Sequence, residues 1–140
     1  MKKRYYFILT LLLFSTLLSA QTEDLFFSEY LEGSGNNKAL EIYNGTGADI
    51  DLSNYIIKST YNGNDWGENF YTFPEGAIIA NGDVWVVANE DANETILNQA
   101  DDVLAYNAGG YVVSFNGNDA RGLFKLDGEN EILIDIIGVP

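Results

Sequence analysis

From residue 25 onward no apolar run is longer than a single β-strand, and the runs are separated by clusters of Gly, Asn and Asp. That punctuation constrains the fold more than any other feature. Gly and Asn tolerate positive φ, and Asn or Asp can close a turn through its own side chain. Residues 44–49, 62–65, 81–83, 116–119 and 127–130 therefore read as tight connections. The segments between them read as strands: Leu25–Leu31, Ala39–Asn44, Asn54–Thr60, Phe70–Phe73 ahead of Pro74, Val84–Ala88, Tyr111–Phe115, Ala120–Leu126 and Glu131–Ile137. Alternation puts Leu25, Phe27, Glu29 and Leu31 on one face of the first. It sets Tyr55 and Ile57 against Ile56 and Lys58 in the third. In the last, Ile132, Ile134 and Ile136 oppose Leu133, Asp135 and Ile137. Val84–Ala88 is apolar on both faces, which suits a central strand. Tyr111–Phe115 and Ala120–Leu126 flank a turn and read as a hairpin. Asp91–Ala100 is the one expected helix, capped by Asn93 or Asp91. Many short strands with one short helix give an all-β sandwich, with a closed barrel of similar strand count as the alternative.

The first twenty residues stand apart. Lys2, Lys3 and Arg4 precede the apolar run Tyr5–Leu18, and Ser19-Ala20 offers a cleavage point before Gln21, the layout of a secretory signal peptide. The run is too short, and too soon followed by Glu23 and Asp24, for a membrane span. The expected organisation is a leader over 1–20, one domain over 21–140, and a secreted or cell-surface location with no membrane span after cleavage. The sudden stop after the last strand raises the expectation that the natural chain continues beyond Pro140.

Cleavage sharpens the charge. Three of the 7 bases lie in the leader, so the remaining four face all 21 acids and the net charge becomes −17. Such a surface repels phosphate backbones, which argues against this domain gripping nucleic acid unaided, and it attracts cations. The chain has no Cys and no His. Thiol nucleophiles, imidazole bases and the usual zinc ligand sets are thereby excluded, and any metal must be a hard cation held by oxygen.

Several landmarks stand in order along the domain. Ser28-Glu29-Tyr30 is followed by Asn37-Lys38-Ala39-Leu40-Glu41-Ile42-Tyr43-Asn44, then Asp51-Leu52-Ser53-Asn54-Tyr55. Phe73-Pro74-Glu75-Gly76 and Ala80-Asn81-Gly82-Asp83 come next. Phe115-Asn116-Gly117-Asn118-Asp119-Ala120 and Ile134-Asp135-Ile136-Ile137-Gly138 complete the series. In this order they resemble the lamin tail domain family in its secreted bacterial form, over roughly Leu25–Gly138. The resemblance implies an immunoglobulin-like β-sandwich and a non-catalytic module. It also implies company: bacterial members often stand beside nuclease, phosphatase or other hydrolase domains. Nuclear lamins carry the animal members, whose roles do not transfer to an exported acidic chain.

Three groups of residues carry the candidate chemistry. Glu29, Glu32, Asn36, Asn37, Lys38 and Glu41 surround the Gly33–Asn37 loop. They form either a structural ion-pair and hydrogen-bond network, in which Lys38 answers the face-buried Glu29, or a binding site. A glycosidase-like carboxylate pair has no further support in the sequence. Tyr61 and Trp66 lead an aromatic cluster with Phe70, Tyr71 and Phe73, able to stack on sugar rings or anchor a protein, whereas Trp85 reads as core. Asn62, Asn64, Asp65 and Glu68 form an oxygen-rich turn that could ligate calcium. Asp101-Asp102 and Asn116, Asn118 and Asp119 offer oxygen elsewhere. None fits the EF-hand spacing, and all are residues that turns require. Asn44-Gly45-Thr46 and Asn93-Glu94-Thr95 match the N-glycosylation pattern and read as incidental. The sequence thus predicts a non-enzymatic, secreted binding, adhesion or structural module with a protein or glycan partner. It predicts no cofactor other than an optional calcium ion. The alternatives are an accessory domain of a secreted nuclease or phosphatase, and a calcium-stabilised structural domain.

Overall fold

The computed structural model describes residues 21–140; the predicted leader lies outside them. Ten strands and one short helix are present among the described residues: β1 (Phe26–Glu32), β2 (Lys38–Tyr43), β3 (Ile50–Asp51), β4 (Tyr55–Ser59), β5 (Phe70–Thr72), β6 (Ile78–Ile79), β7 (Val84–Asn89), α1 (Glu94–Leu97), β8 (Asp102–Leu104), β9 (Arg121–Asp127) and β10 (Asn130–Ile137). Sheet 1 runs β1-β2-β7-β8, sheet 2 runs β10-β9-β4-β5, and β3 pairs with β6 in a short ribbon. The two sheets pack face to face as the expected sandwich. Leu40, Ile42 and Val87 from sheet 1 meet Tyr55, Ile57, Tyr71 and Leu123 from sheet 2. Each such side chain contributes about 1.5–3 kcal/mol by leaving water. β7 is indeed central, between β2 and β8. No helix among the described residues is long and apolar enough to cross a membrane.

Two bulges correct the expected faces. Phe27 lies opposite Ile42 while Glu29 lies opposite Glu41, so Ser28 is an inserted residue in β1. Its insertion reverses the parity: Tyr30 packs against the core, and Glu29 is exposed instead of sharing the face of Leu25 and Phe27. In β10, Leu133 faces Phe124 and Asp135 faces Leu123, so Ile134 is the extra residue. Ile134 and Ile137 consequently turn to the core, across the alternation read from sequence. β1 and β10 are edge strands of different sheets, and the Phe27 N–H donates to the Asp135 carboxylate at 2.7 Å. A bulged edge with a carboxylate aimed at it is poorly shaped for pairing with another chain.

The two main sheets hold eight strands, but one is not the predicted one. Tyr111–Phe115 forms no strand and no hairpin with β9; residues 110–113 make a 3-10 turn. Gly110 explains part of this: a Cβ there would lie 2.6 Å from the Ala105 carbonyl, so the chain folds back on itself where only Gly fits. Val112, Val113 and Phe115 are driven in as a plug at one end of the sandwich. The missing strand is supplied by β8, three residues that pair in parallel with β7. The helix is shorter than Asp91–Ala100. Asn93 caps it, its side chain accepting from the Thr95 and Ile96 N–H groups, and Ala92 is buried beside it.

Candidate binding site

The β1–β2 connection brings part of the first predicted group together. Gly33 N–H donates to Asn37 O, closing the loop. Lys38 Nζ donates to Gly33 O at 3.0 Å and stands 4.0 Å from Glu32, so its partner is Glu32 and not Glu29. Asn36 donates to Asp91, and Asn37 accepts from the Asn93 N–H, tying the loop to the segment that caps α1. These residues act as a brace. Glu29 and Glu41 lie elsewhere, opposite each other on the outer face of sheet 1, where Ser28 donates to Glu41. They rim a shallow groove floored by Leu31, Ala39 and Val86 and flanked by Ile96.

The second group is divided. Trp66 crosses the outer face of sheet 2, edge-on to Phe124 at 5.2 Å. It rests on Gly122, where a Cβ would come within 2.7 Å of the indole. A side chain at that strand position would expel the indole, so Gly122 makes the seat and Trp66 serves as a cover. Tyr61 turns the other way, toward the end of the sandwich.

The oxygen-rich turn is occupied by its own hydrogen bonds. Asn62, at φ 55°, takes the left-handed conformation. Its N–H donates to Asp119, its side-chain oxygen accepts from Asn118, and Asn64 donates to Tyr61 O. Asp119 also accepts from the Asn116 N–H. Asp65 and Glu68 point to solvent, and no group of three acidic side chains suited to a metal forms among the described residues. The arrangement therefore joins the 61–64 and 116–119 loops.

The residue that organises this end was not singled out from the sequence. Arg121, the first of β9, is fully buried. Its guanidinium donates to Val112 O at 2.8 Å, Ala120 O at 2.8 Å, Tyr111 O at 3.2 Å and Thr60 O at 3.4 Å. It lies 5.2 Å from the ring centre of Phe115 and 5.3 Å from that of Tyr61. Burial lowers its pKa, a pull opposed by the nearby Tyr61 and Asp119. Without a carboxylate in contact, the charge is held by carbonyl dipoles and aromatic faces, at the cost of desolvation. The contacts continue: Phe115 stacks on Tyr30 at 4.2 Å, and Tyr30 donates to Glu32. Burial and then that Glu32 bond raise the Tyr30 pKa. Tyr30, Phe115, Arg121 and Tyr61 thus link the brace around Lys38 to the 61–69 loop. A basic residue opening an apolar strand just after an Asn-Gly-Asn-Asp turn was the available signal.

Above this chain of contacts lies a pocket between the 61–69 loop and the 3-10 turn at Tyr106–Ala108. It is lined by Ser59, Tyr61, Asn69, Tyr106, Asn107 and Tyr111. Tyr61 OH donates to Tyr111 O, and the same oxygen accepts from Arg121. The wall is therefore set before any ligand arrives. The bases among the described residues are all engaged. Lys58 pairs with Glu131, Lys125 with Asp24, Lys38 with Glu32, and Arg121 is buried. The acids on the surface stand largely unopposed.

Comparison with known proteins gives one result. The model of the Lamin Tail Domain family matches residues 19–139. No curated protein matches the chain significantly.

Proposed function

Because this chain belongs to the lamin tail domain family, a family of non-catalytic immunoglobulin-like modules, we propose that it is an exported, non-enzymatic module that binds a protein or glycan partner through the loops at the Arg121 end. The observation that carries this reading is the preset wall of that end. Arg121 and Tyr61 together fix Tyr111 O, while Tyr61 and Tyr106 remain exposed above it. Fixing side chains in advance reduces the ordering cost of association, and tyrosine supplies contact area with few rotatable bonds. The predicted leader supports export.

The test has two arms. Culture fractionation followed by N-terminal sequencing is expected to find the protein outside the cytoplasm and beginning at Gln21. Purified protein is expected to retain glycans or secreted proteins of its host, and to lose them on Tyr61→Ala. Full-length protein confined to the cytoplasm would overturn the export reading. Retention unaffected by Tyr61→Ala would overturn the assignment of the binding end.

A further inference from the structure

We infer that the pocket above Arg121 is a subsite for one neutral sugar ring. The inference rests on the binding-module reading and specifies its ligand. Three observations carry it. The first is the lining. In a chain with 21 acidic residues, Ser59, Tyr61, Asn69, Tyr106, Asn107 and Tyr111 include no charged side chain. An ionic ligand would find no partner there, and an anion would also meet the negative field of the surrounding surface. A neutral ligand suffers neither penalty.

The second observation is the mixture of surfaces. Tyr106 is 61 % exposed and Tyr61 38 %, so aromatic area stands open at the mouth. A pyranose presents an apolar C–H face that lies flat on an aromatic ring, and a rim of hydroxyls that donate and accept. Tyrosine faces beside the exposed amides of Asn69 and Asn107 answer both halves. An apolar peptide side chain would use the rings and leave the amides idle.

The third observation points into the pocket. Ser59 is 2 % exposed, lines the pocket, and its Oγ has no hydrogen-bond partner among the described residues. Burial raises the Tyr61 pKa and the neighbouring Ser59 hydroxyl opposes that rise, so the two hydroxyls lie close together; their geometry falls short of a closed hydrogen bond, and Tyr61 already donates to Tyr111 O. A buried hydroxyl left unpaired is costly, and nearly all such groups in folded proteins find a partner. Ser59 Oγ is covered in the unliganded pocket, and a rotation about its Cα–Cβ bond offers it to a sugar hydroxyl. Ser59 ends β4 and Tyr61 follows two residues later; both line the pocket, so they can address one ligand together.

The experiment is a titration of the purified protein with a panel of neutral hexose and pentose oligosaccharides, followed through backbone amide NMR shifts, with tri- and tetrapeptides as a parallel arm. The expected result is saturable shifts at Tyr61, Gly67, Tyr106 and Tyr111 for at least one neutral sugar. Tyr106→Ala should weaken binding tenfold or more with Tm unchanged. Ser59→Ala is the discriminating variant: it should weaken binding several-fold while Tm stays the same or rises, because it removes an unpaired hydroxyl. Sugar shifts mapping to the Glu29–Glu41 groove would overturn the subsite and leave the binding-module reading standing. Peptides shifting the pocket amides while all sugars fail would do the same. Silence of the protein toward its host's glycans and secreted proteins as well would overturn both.

Discussion

Each end of the sandwich has a fully buried polar side chain as its hub, Arg121 at one and Asn44 at the other, and the two solve the same problem with opposite chemistry. At one end Arg121 spreads a full positive charge over four carbonyls and two aromatic rings. At the other, Asn44 is equally buried and neutral. Its amide donates to Ala48 O and Ile79 O, and its oxygen accepts from the N–H and hydroxyl of Thr46. Asn44 closes a compact turn and leaves nothing for a ligand. Because its amide hydrogens are spent inside the fold, the Asn44-Gly45-Thr46 pattern is also sealed against glycan attachment. Arg121 has a longer reach, and the loops it gathers, 60–69 and 106–120, are correspondingly long and tyrosine-lined. A short neutral hub makes a closed end; a long charged hub makes an open one.

Removing the charge is the strongest way to break that contrast. Arg121→Met keeps much of the volume and deletes every donor, so carbonyls of Tyr111 and Val112 lose a partner inside the protein. We expect a loss of about 3 kcal/mol, because unsatisfied buried polar groups carry their full desolvation penalty. Urea denaturation should show a lowered midpoint with an unchanged slope. Arg121→Lys should fall in between, since an ammonium can serve one or two carbonyls but lacks the planar fork. A loss below about 0.5 kcal/mol for Arg121→Met would mean that the plug formed by Val112, Val113 and Phe115 holds this end without the guanidinium.

Asn44→Ala should cost less, about 2 kcal/mol, because the broken hydrogen bonds are neutral and the turn is short. The more useful readout is local. Amide exchange should accelerate around residues 44–48 and 79–83 while the Arg121 end keeps its protection. Equal acceleration at both ends would show that the ends are coupled through the core and that the comparison fails.

Much of the architecture was legible because turns obey local rules. The turn over residues 80–83, with Gly82 at φ 83°, and the Asn116–Asp119 closure each depend on residues within four positions. Most strands followed from their apolar runs for the same reason. The failures share a physical cause, which is dependence on a distant partner. Ser28 and Ile134 bulge because of the register each strand adopts against its neighbour. Tyr111–Phe115 has strand composition, yet Arg121 captures its carbonyls. β8 is too short to announce itself. Among the candidate site residues, Lys38 and Glu32 pair directly but connect to Tyr61 only through Tyr30, Phe115 and Arg121, whose meeting no spacing reveals. Glu29 joined Glu41 on the outer face of sheet 1 once the bulge reversed the parity of β1.

The smallest expected effect lies at the closed end, where Asp24 accepts from Lys125 and Tyr55 at 2.7 Å each. Burial alone would raise the Asp24 pKa, but hydrogen bonds from Lys125, Tyr55 and the Leu25 N–H together hold it below its ordinary 3.8. The bond to Asp24 in turn raises Lys125 above 10.5. A lowered carboxyl adds stability that is complete above its unfolded pKa and is lost as pH falls through the folded one. A raised ammonium adds stability that is complete below its unfolded pKa and is lost as pH rises through the folded one. The pair therefore works between about pH 4 and pH 10.5. Lys125 is 43 % exposed, so solvent screening limits the gain to about 0.5–1 kcal/mol. Asp24→Asn should lower stability by that amount at pH 7, and the deficit should shrink toward zero near about pH 2, where the native carboxyl is also protonated. Raising the salt should shrink it too, while the Asn44→Ala deficit stays constant, because screening acts on charges and not on neutral hydrogen bonds. A salt-independent deficit for Asp24→Asn would place this cluster with Asn44, as a hydrogen-bonded closure in which charge has no part.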